Sequence, residues 1–247
     1  MADFTMTIAG HTAAVSSLFE STPQYFKPYL TDETPEFSIR VTGEDIAFEQ
    51  ADLLEEAHRD GFKPRVFTDP FLERAAIQRA FAEFLFFHNI LLFHGSAIAV
   101  DGAGYLFTAH SGTGKSTHTR LWREVFASRA VMVNDDKPFL ALKEDGIWLY
   151  GSPWSGKHGL DSNICVPLKG ICILERGKEN QIVPITSKEA LPMLGKQGYS
   201  PLDEEKHPQF LALIQALSQK VPLWKLACNK EPEAAILAHG VMSRDSV

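Results

Sequence analysis

A short glycine-rich stretch near the middle of the chain combines residue types that bind phosphate. We call it the glycine-rich loop, residues 111–117, and it reads Ser111, Gly112, Thr113, Gly114, Lys115, Ser116, Thr117. Glycines let a backbone close around an anion because they have no Cβ atom and tolerate positive φ angles. A lysine followed by a hydroxyl residue adds one cation for phosphate oxygens and one oxygen ligand for Mg²⁺. The stretch therefore predicts a loop that binds the phosphates of ATP, with Lys115 on the β- and γ-phosphates and Ser116 on the metal.

The segments on both sides of the glycine-rich loop favour the same interpretation. Residues 105–107 form an apolar run that predicts a strand, and residues 120–123 have helical character. The order strand, loop, helix is that of a P-loop, because the positive end of the helix dipole then lies behind the bound anion. One position departs from the usual pattern, since Ala109 stands where that pattern opens with glycine.

Two adjacent aspartates, Asp135 and Asp136, follow the next apolar run, residues 130–133, which predicts a short buried strand. A carboxylate at a strand end after the loop helix is a usual ligand of nucleotide-bound Mg²⁺. Neighbouring residues of a strand point to opposite sides, so one aspartate can hold the metal while the other faces an acceptor. We place Asp135 on the metal and predict that the pair also supplies the general base, without deciding from sequence which residue has which role. A plain polar turn is the alternative.

Three basic side chains are further candidates for the site. His94 follows an apolar run, where a histidine is usually a packed core residue; beside phosphate it can instead bind metal, carry a proton or neutralise charge. Lys157 lies in a polar, glycine-rich segment, residues 151–163, and could meet the γ-phosphate or the acceptor. Arg176 lies in a predicted turn and could do the same, although a solvated turn explains it equally well.

The order of these motifs resembles two related families. His94-Gly95-Ser96-Ala97, the glycine-rich loop and Asp135-Asp136 resemble the C-terminal domain of HPr kinase/phosphorylase and the nucleotide site of ATP-dependent phosphoenolpyruvate carboxykinase. The resemblance covers residues 91 to about 185 and includes Leu121-Trp122 and residues 151–157 and 166–171. It implies a P-loop core with a mixed sheet. It also implies the phosphate role of Lys115, the metal role of Ser116, a metal and base site at the aspartates, and a site histidine at His94.

Other features of those families are missing from the sequence. Residues 1–90 do not match the separate N-terminal domain of HPr kinases, and the signatures for HPr docking and phosphorolysis are not evident. The arginine pattern that binds oxaloacetate in the carboxykinase is also not found. The sequence therefore favours neither HPr as the acceptor nor decarboxylation as the reaction.

Turns, rather than helices, separate the apolar runs around the glycine-rich loop. Residues 91–100 predict one strand, and turn signals at 101–104, 143–146 and 176–180 each predict a hairpin. A parallel sheet would need crossover helices between neighbouring strands. The pattern predicts an α/β fold of the α+β kind, in which a mixed, largely antiparallel sheet carries the P-loop, as in phosphoenolpyruvate carboxykinase and HPr kinase.

The chain is predicted to divide near residue 90. Residues 1–90 predict a mostly β segment with strands at 4–8 and 37–41, and then a long helix opened by Pro70. The acidic residues 51–60 fit either a helix or a loop. Residues 91–247 predict the P-loop kinase-like core. Its later elements are a capped helix from Thr186, a helix over 203–220, a strand over 221–227 and a helix over 231–239.

The composition is that of an ordinary soluble protein. The 247 residues are 45% hydrophobic and carry a formal net charge of -7, which does not favour a nucleic-acid surface. Cys165, Cys172 and Cys228 lack metal-ligand spacing and fit the reduced thiols of a cytoplasmic protein. Polar residues interrupt the most apolar stretch, residues 81–100, so we expect no membrane span, and the N-terminus does not resemble a signal peptide.

Together these features predict an ATP- and Mg²⁺-dependent phosphotransferase that acts on a hydroxyl group. The acceptor is expected to be a serine of a protein or peptide, or a small hydroxylated metabolite. GTP and pyrophosphate remain alternative donors, and phosphorolysis remains an alternative direction. The related kinases also suggest a homo-oligomer. Two other functions stay open: a nucleotide-binding regulatory module without transferase activity, and a globular scaffold with a coincidental loop.

Overall fold

The computed structural model describes residues 1–59, 61 and 63–244. The chain forms two compact units, Met1–Leu85 and Phe86–Val247. The elements up to the boundary are β1 (Ala2–Ile8), β2 (His11–Ser17), α1 (Thr22–Tyr25), β3 (Phe37–Arg40), α2 (Gly43–Arg59) and α3 (Asp69–Phe86).

In the first unit, β1 and β2 form an antiparallel hairpin and β3 pairs parallel with β2. Residues 51–59, for which the sequence fitted either a helix or a loop, are part of α2, and residue 60 lies outside the described residues. The start of α2 is capped reciprocally, because the Thr42 hydroxyl accepts the N–H of Asp45 while the Asp45 carboxylate accepts the N–H of Thr42. Arg79 of α3 then holds α2 through Nε, which donates to the buried Glu49 at 2.6 Å.

The second unit contains the glycine-rich loop and a large sheet. Its strands are β4 (Ile90–Leu92), β5 (Ser96–Val100), β6 (Ala103–Thr108), β7 (Ala130–Asn134), β8 (Phe139–Lys143), β9 (Gly146–Tyr150), β10 (Cys165–Arg176), β11 (Gln181–Pro184) and β12 (Leu223–Cys228). Its helices are α4 (Lys115–Phe126), α5 (Ser187–Gln197), α6 (His207–Lys220) and α7 (Pro232–Met242).

The sheet runs in the order β4-β8-β9-β10-β6-β5-β7, and β12 pairs with both β10 and β11. The strand that leads into the glycine-rich loop, β6, is antiparallel to β5 and parallel to β10. The other parallel pair of this sheet is β10 with β12, and its remaining pairs among the described residues are antiparallel. The predicted α/β fold with a mixed sheet is confirmed.

Successive side chains of β6 point to opposite faces of the sheet, and the core of this unit forms one layer on each face. Tyr105 and Phe107 belong to a cluster with Trp122 of α4 and the alanines of α7. Leu106, which points to the opposite face, belongs to a cluster with residues of α5 and α6 such as Leu194. Both faces of β6 are therefore buried, which explains its continuous apolar run. Among the described residues, no helix is long and apolar enough to cross a membrane.

Two predictions about strands are wrong. Residues 91–100 form two strands because the chain bends between them: Phe93 N–H donates to Pro138 O, and Gly95 N–H donates to Asp136 O. Gly95 is needed at this bend, since a Cβ atom there would lie 2.8 Å from the Leu106 side chain. The hairpin predicted around residues 176–180 does not form, because β12 lies between β10 and β11 and pairs with both.

The helix predictions in this unit are largely confirmed. The capping box at Thr186 is present, with its hydroxyl accepting the N–H of Glu189 and the Glu189 carboxylate accepting the N–H of Thr186. The segment predicted as a helix over 203–220 is a short 3-10 turn followed by α6. The last strand and helix, β12 and α7, lie within one to three residues of their predicted ends.

Candidate active site

The glycine-rich loop follows β6 directly and leads into α4, which begins at Lys115. Gly112 has φ +75 and Gly114 has φ +125, a backbone region that favours glycine. The N–H of Thr113 donates to His110 O at 3.2 Å and closes the turn. Ala109, which replaces the usual first glycine, is fully buried in the core cluster beside α4. The loop therefore begins from a packed position and turns through its two glycines.

The Lys115 side chain folds back across the loop. Its Nζ donates to Ala109 O at 3.1 Å, so the amine spans the turn. Burial lowers the pKa of Lys115, while the negative charges of Asp136 and Asp135 oppose that shift. The two predicted carboxylates therefore lie close enough to Lys115 to interact with its charge, as the sequence-based hypothesis requires.

Asp135 is linked to the helix that follows the glycine-rich loop. It is only 6% exposed, and its Oδ1 accepts a hydrogen bond from Ser96 Oγ at 2.7 Å. The same Ser96 hydroxyl lies 2.8 Å from Thr119 Oγ1 on α4. Thr119 comes three residues after Ser116, so both lie on one face of α4, with Ser116 a turn nearer the loop. Three side chains thus connect the end of β7 to the second turn of α4.

Asp136 and His94 form a second, more open part of the site. His94 Nε2 lies 3.3 Å from Asp136 Oδ1, and each side chain is about one-third exposed (33% and 34%). Burial raises the pKa of Asp136, and the charges of Lys137 and Lys115 oppose this. Burial lowers the pKa of His94 to about 3, helped by Lys137 and Lys115. At neutral pH the site therefore presents a neutral imidazole 3.3 Å from a carboxylate whose pKa is raised.

Asn134, a residue that the sequence analysis did not single out, holds the aspartates in place. It is fully buried, and its side-chain oxygen accepts the N–H groups of Asp136 at 2.7 Å and Lys137 at 2.6 Å. Its amide nitrogen donates to Ser152 O at 2.8 Å, which ties the 151–163 segment to the end of β7. An asparagine followed by a polar turn is a sequence signal for this Asx-type arrangement.

Removal of the Asn134 side chain is expected to destabilise the protein. Asn134→Ala would leave two backbone N–H groups and the Ser152 carbonyl without these partners, which we expect to lower the free energy of unfolding by about 2–4 kcal/mol. Urea unfolding measures the effect. Asn180→Ala, which removes the single hydrogen bond from the N–H of Asn229, is the comparison and should cost about 1 kcal/mol. Equal losses in the two variants would contradict the role of Asn134.

Two other basic residues that the sequence suggested, Lys157 and Arg176, also lie near this site. Gly156 has φ +68, and a Cβ atom there would lie 3.1 Å from Asp136 Cβ, so the 151–163 segment packs closely on that aspartate. Lys157 is the next residue, is exposed, and forms no hydrogen bond or ion pair within the described part of the chain. Arg176, at the end of β10, donates from Nη2 to Gly112 O at 2.6 Å and so contacts the glycine-rich loop directly.

The residues present fit a metal ion only in combination with other ligands. Among the described residues, no three His, Cys, Asp or Glu side chains gather as a metal site. Mg²⁺ is commonly bound by one or two protein oxygens together with substrate phosphates and water. The Asp135 carboxylate and the Ser116 hydroxyl, which lies on the same face of α4 as Thr119, could supply these protein oxygens. The described residues do not form a metal site made of protein ligands alone.

His118, on the buried face of α4, is expected to make the protein sensitive to acid. It is 3% exposed, its Nε2 accepts the indole N–H of Trp122 at 3.0 Å, and its Nδ1 has no partner among the described residues. Burial lowers the pKa of His118 from 6.5 to about 4. The unfolded chain therefore binds more protons between these pH values, and stability present above pH 6.5 is lost as the pH falls towards 4.

We expect His118→Gln to reduce this acid sensitivity. A histidine with this shift contributes a loss of up to about 1.4 kcal/mol per pH unit below its unfolded pKa. Urea unfolding at several pH values from 7 to 5 measures the slope for the wild type and the variant. His158→Gln, at an exposed position, should leave the slope unchanged. If His118→Gln has the wild-type slope, buried His118 is not its source.

Comparisons with known proteins add little to this description. No family model matches the chain, and no curated protein matches it. Among solved structures, the HPr(Ser) kinase/phosphatase from Coxiella burnetii matches with 11% sequence identity and a TM-score of 0.37. That match covers 62% of this chain and 88% of the other. The function proposed below rests on the geometry of this chain's own residues.

Proposed function

We propose that this chain is an ATP- and Mg²⁺-dependent phosphotransferase that acts on a hydroxyl group, and that the glycine-rich loop is a P-loop. The observation that supports it most is the hydrogen-bonded link from Asp135 through Ser96 to Thr119. This link joins the end of β7, where the two aspartates lie, to the helix that starts in the loop. A Gly-Lys-Ser turn that had arisen by coincidence would not need such a link. The combination is the one that nucleotide phosphates and Mg²⁺ require.

In this proposal the triphosphate is bound by the backbone N–H groups of the loop and by Lys115. These N–H groups lie at the positive end of the α4 dipole, which favours phosphate. Ser116 and Asp135 would hold Mg²⁺. When bound, the ion neutralises negative charge on the β- and γ-phosphates. Asp135 suits this role because it is buried and its orientation is fixed by Ser96.

We assign the role of general base to Asp136. It is more exposed than Asp135, so an acceptor can reach it, and its raised pKa makes it a stronger base than an ordinary aspartate. The acceptor hydroxyl oxygen forms a bond to the γ-phosphorus while the bond from that phosphorus to the leaving ADP oxygen breaks. The hydroxyl proton passes to Asp136. Neutral His94, whose Nε2 lies 3.3 Å from Asp136 Oδ1, would orient that carboxylate.

The acceptor is proposed to enter from the open side of Asp136, where the 151–163 segment carries Lys157. An exposed lysine without a partner in the described chain can approach either the γ-phosphate or an anionic group of the acceptor. The hydroxyl can belong to a serine of a protein or peptide or to a small metabolite, since both present the same nucleophile.

A transfer assay with Mg²⁺ and γ-labelled ATP tests the proposal. One acceptor pool holds proteins and peptides from a cell lysate, and the other holds its small metabolites. We expect label in one of the two pools, which identifies the acceptor class, and no label with Asp136→Asn. If ATP raises the unfolding midpoint but neither pool is labelled, the chain is a nucleotide-binding regulatory module. If ATP changes neither the unfolding midpoint nor the labelling, the chain is a scaffold.

A further inference from the structure

The contact between Arg176 and the glycine-rich loop gives this arginine a role distinct from phosphate binding. We propose that Arg176 is a positioning residue that holds the glycine-rich loop through the carbonyl group of Gly112. Its effect on nucleotide affinity rests on the function proposed above, whereas its effect on the loop does not.

The register of the sheet explains how Arg176 reaches the loop. Strand β10 lies parallel to β6, with Ile173 opposite Thr108, the last residue of β6. At that point β6 gives way to the loop, while β10 continues for three more residues, or about 10 Å, to Arg176. Its backbone is fixed there by β12, because Arg176 pairs with Cys228 and the N–H of Gly177 donates to Cys228 O at 2.9 Å. A rigid strand end therefore carries the guanidinium to the loop.

The guanidinium makes one defined contact. Its Nη2 donates to Gly112 O at 2.6 Å, and within the described chain it has no other hydrogen-bond or ion-pair partner. A bond from a charged donor is stronger than a neutral one. The carbonyl of Gly112 and the N–H of Thr113 belong to one peptide unit, so a cation on the oxygen polarises that N–H and strengthens the hydrogen bond that it donates to His110 O. Arg176 thus fixes the peptide unit that closes the turn of the glycine-rich loop.

Two measurements test this role, and the first needs no ligand. In Arg176→Ala, amide hydrogen exchange of residues 110–117 in the free protein should become about tenfold faster, since the loop loses its hydrogen bond to β10. Lys178→Ala removes a positive charge two residues away, and its exchange should match the wild type. Arg176→Lys should restore slow exchange, because an ammonium can also donate to a single carbonyl.

The second measurement is the affinity for ATP. We expect Arg176→Ala to raise the KM for ATP about tenfold with a smaller change in kcat, and Arg176→Lys to stay near the wild type. An arginine that instead bound the phosphates through two N–H groups would not be replaced by lysine. Unchanged exchange in Arg176→Ala would overturn the proposal, as would a lysine variant as weak as alanine. Faster exchange in a protein that binds no ATP would support the positioning role and contradict the proposed function.

Discussion

Replacement of Lys115 with alanine is expected to abolish detectable phosphate transfer and to weaken ATP binding. Lys115 Nζ lies across the glycine-rich loop on Ala109 O, and its charge interacts with Asp136 and Asp135. Loss of a preorganised cation at a reacting phosphate typically lowers the rate about 10²–10³-fold. The initial rate of transfer and the ATP dissociation constant of the purified variant measure both effects.

Arg120→Ala is the matched control for this variant. Arg120 also lies on α4, but its side chain is 51% exposed and pairs with Glu124. This variant removes the same charge from the same helix without touching the loop, so its rate and ATP affinity should match the wild type. Equal losses in both variants would mean that general electrostatics, and not the position of Lys115, produces the effect.

Asp136→Asn should have the second large effect, which falls on the chemical step. An asparagine keeps the shape of the side chain but cannot accept the proton of the acceptor hydroxyl. Loss of a general base typically lowers the rate about 10²–10⁴-fold. ATP binding should persist because Lys115 and the loop are unchanged. A single-turnover rate at saturating ATP and Mg²⁺, together with calorimetric titration of ATP, separates the two steps.

Asp135→Asn is the informative comparison for this second prediction. If Asp135 holds the metal, this variant should require a higher Mg²⁺ concentration for half-maximal rate, whereas Asp136→Asn should not. The opposite pattern would reverse the two roles. Normal transfer by Asp136→Asn at every Mg²⁺ concentration would exclude Asp136 as the base.

The glycine-rich loop and its flanking elements could be predicted from sequence because their signals are local. Positive φ angles require the glycines at positions 112 and 114, and the apolar run of β6 reflects burial on both faces. The capping box at Thr186 is also a local signal, and it was found for the same reason. Such features depend on residues only a few positions apart, so one sequence is enough to recognise them.

The remaining features depend on partners that are distant in the chain. The bend between β4 and β5 forms because Asp136 and Pro138 supply its hydrogen-bond acceptors. The position of β12 beside β10 brings together residues about fifty positions apart, which no turn signal at 176–180 indicates. Asn134 holds Ser152, and Arg176 reaches Gly112, only once the sheet order is set. Their roles therefore became visible only from the fold.

The most direct test of the proposed activity is ³¹P NMR of the reaction of ATP and Mg²⁺ with the acceptor pool. The proposal predicts that wild-type protein converts ATP into ADP and a new phosphomonoester resonance, and that Asp136→Asn leaves ATP unchanged. A spectrum in which wild-type protein leaves ATP intact with both acceptor pools, or yields only ADP and free phosphate, would contradict transfer to a hydroxyl group.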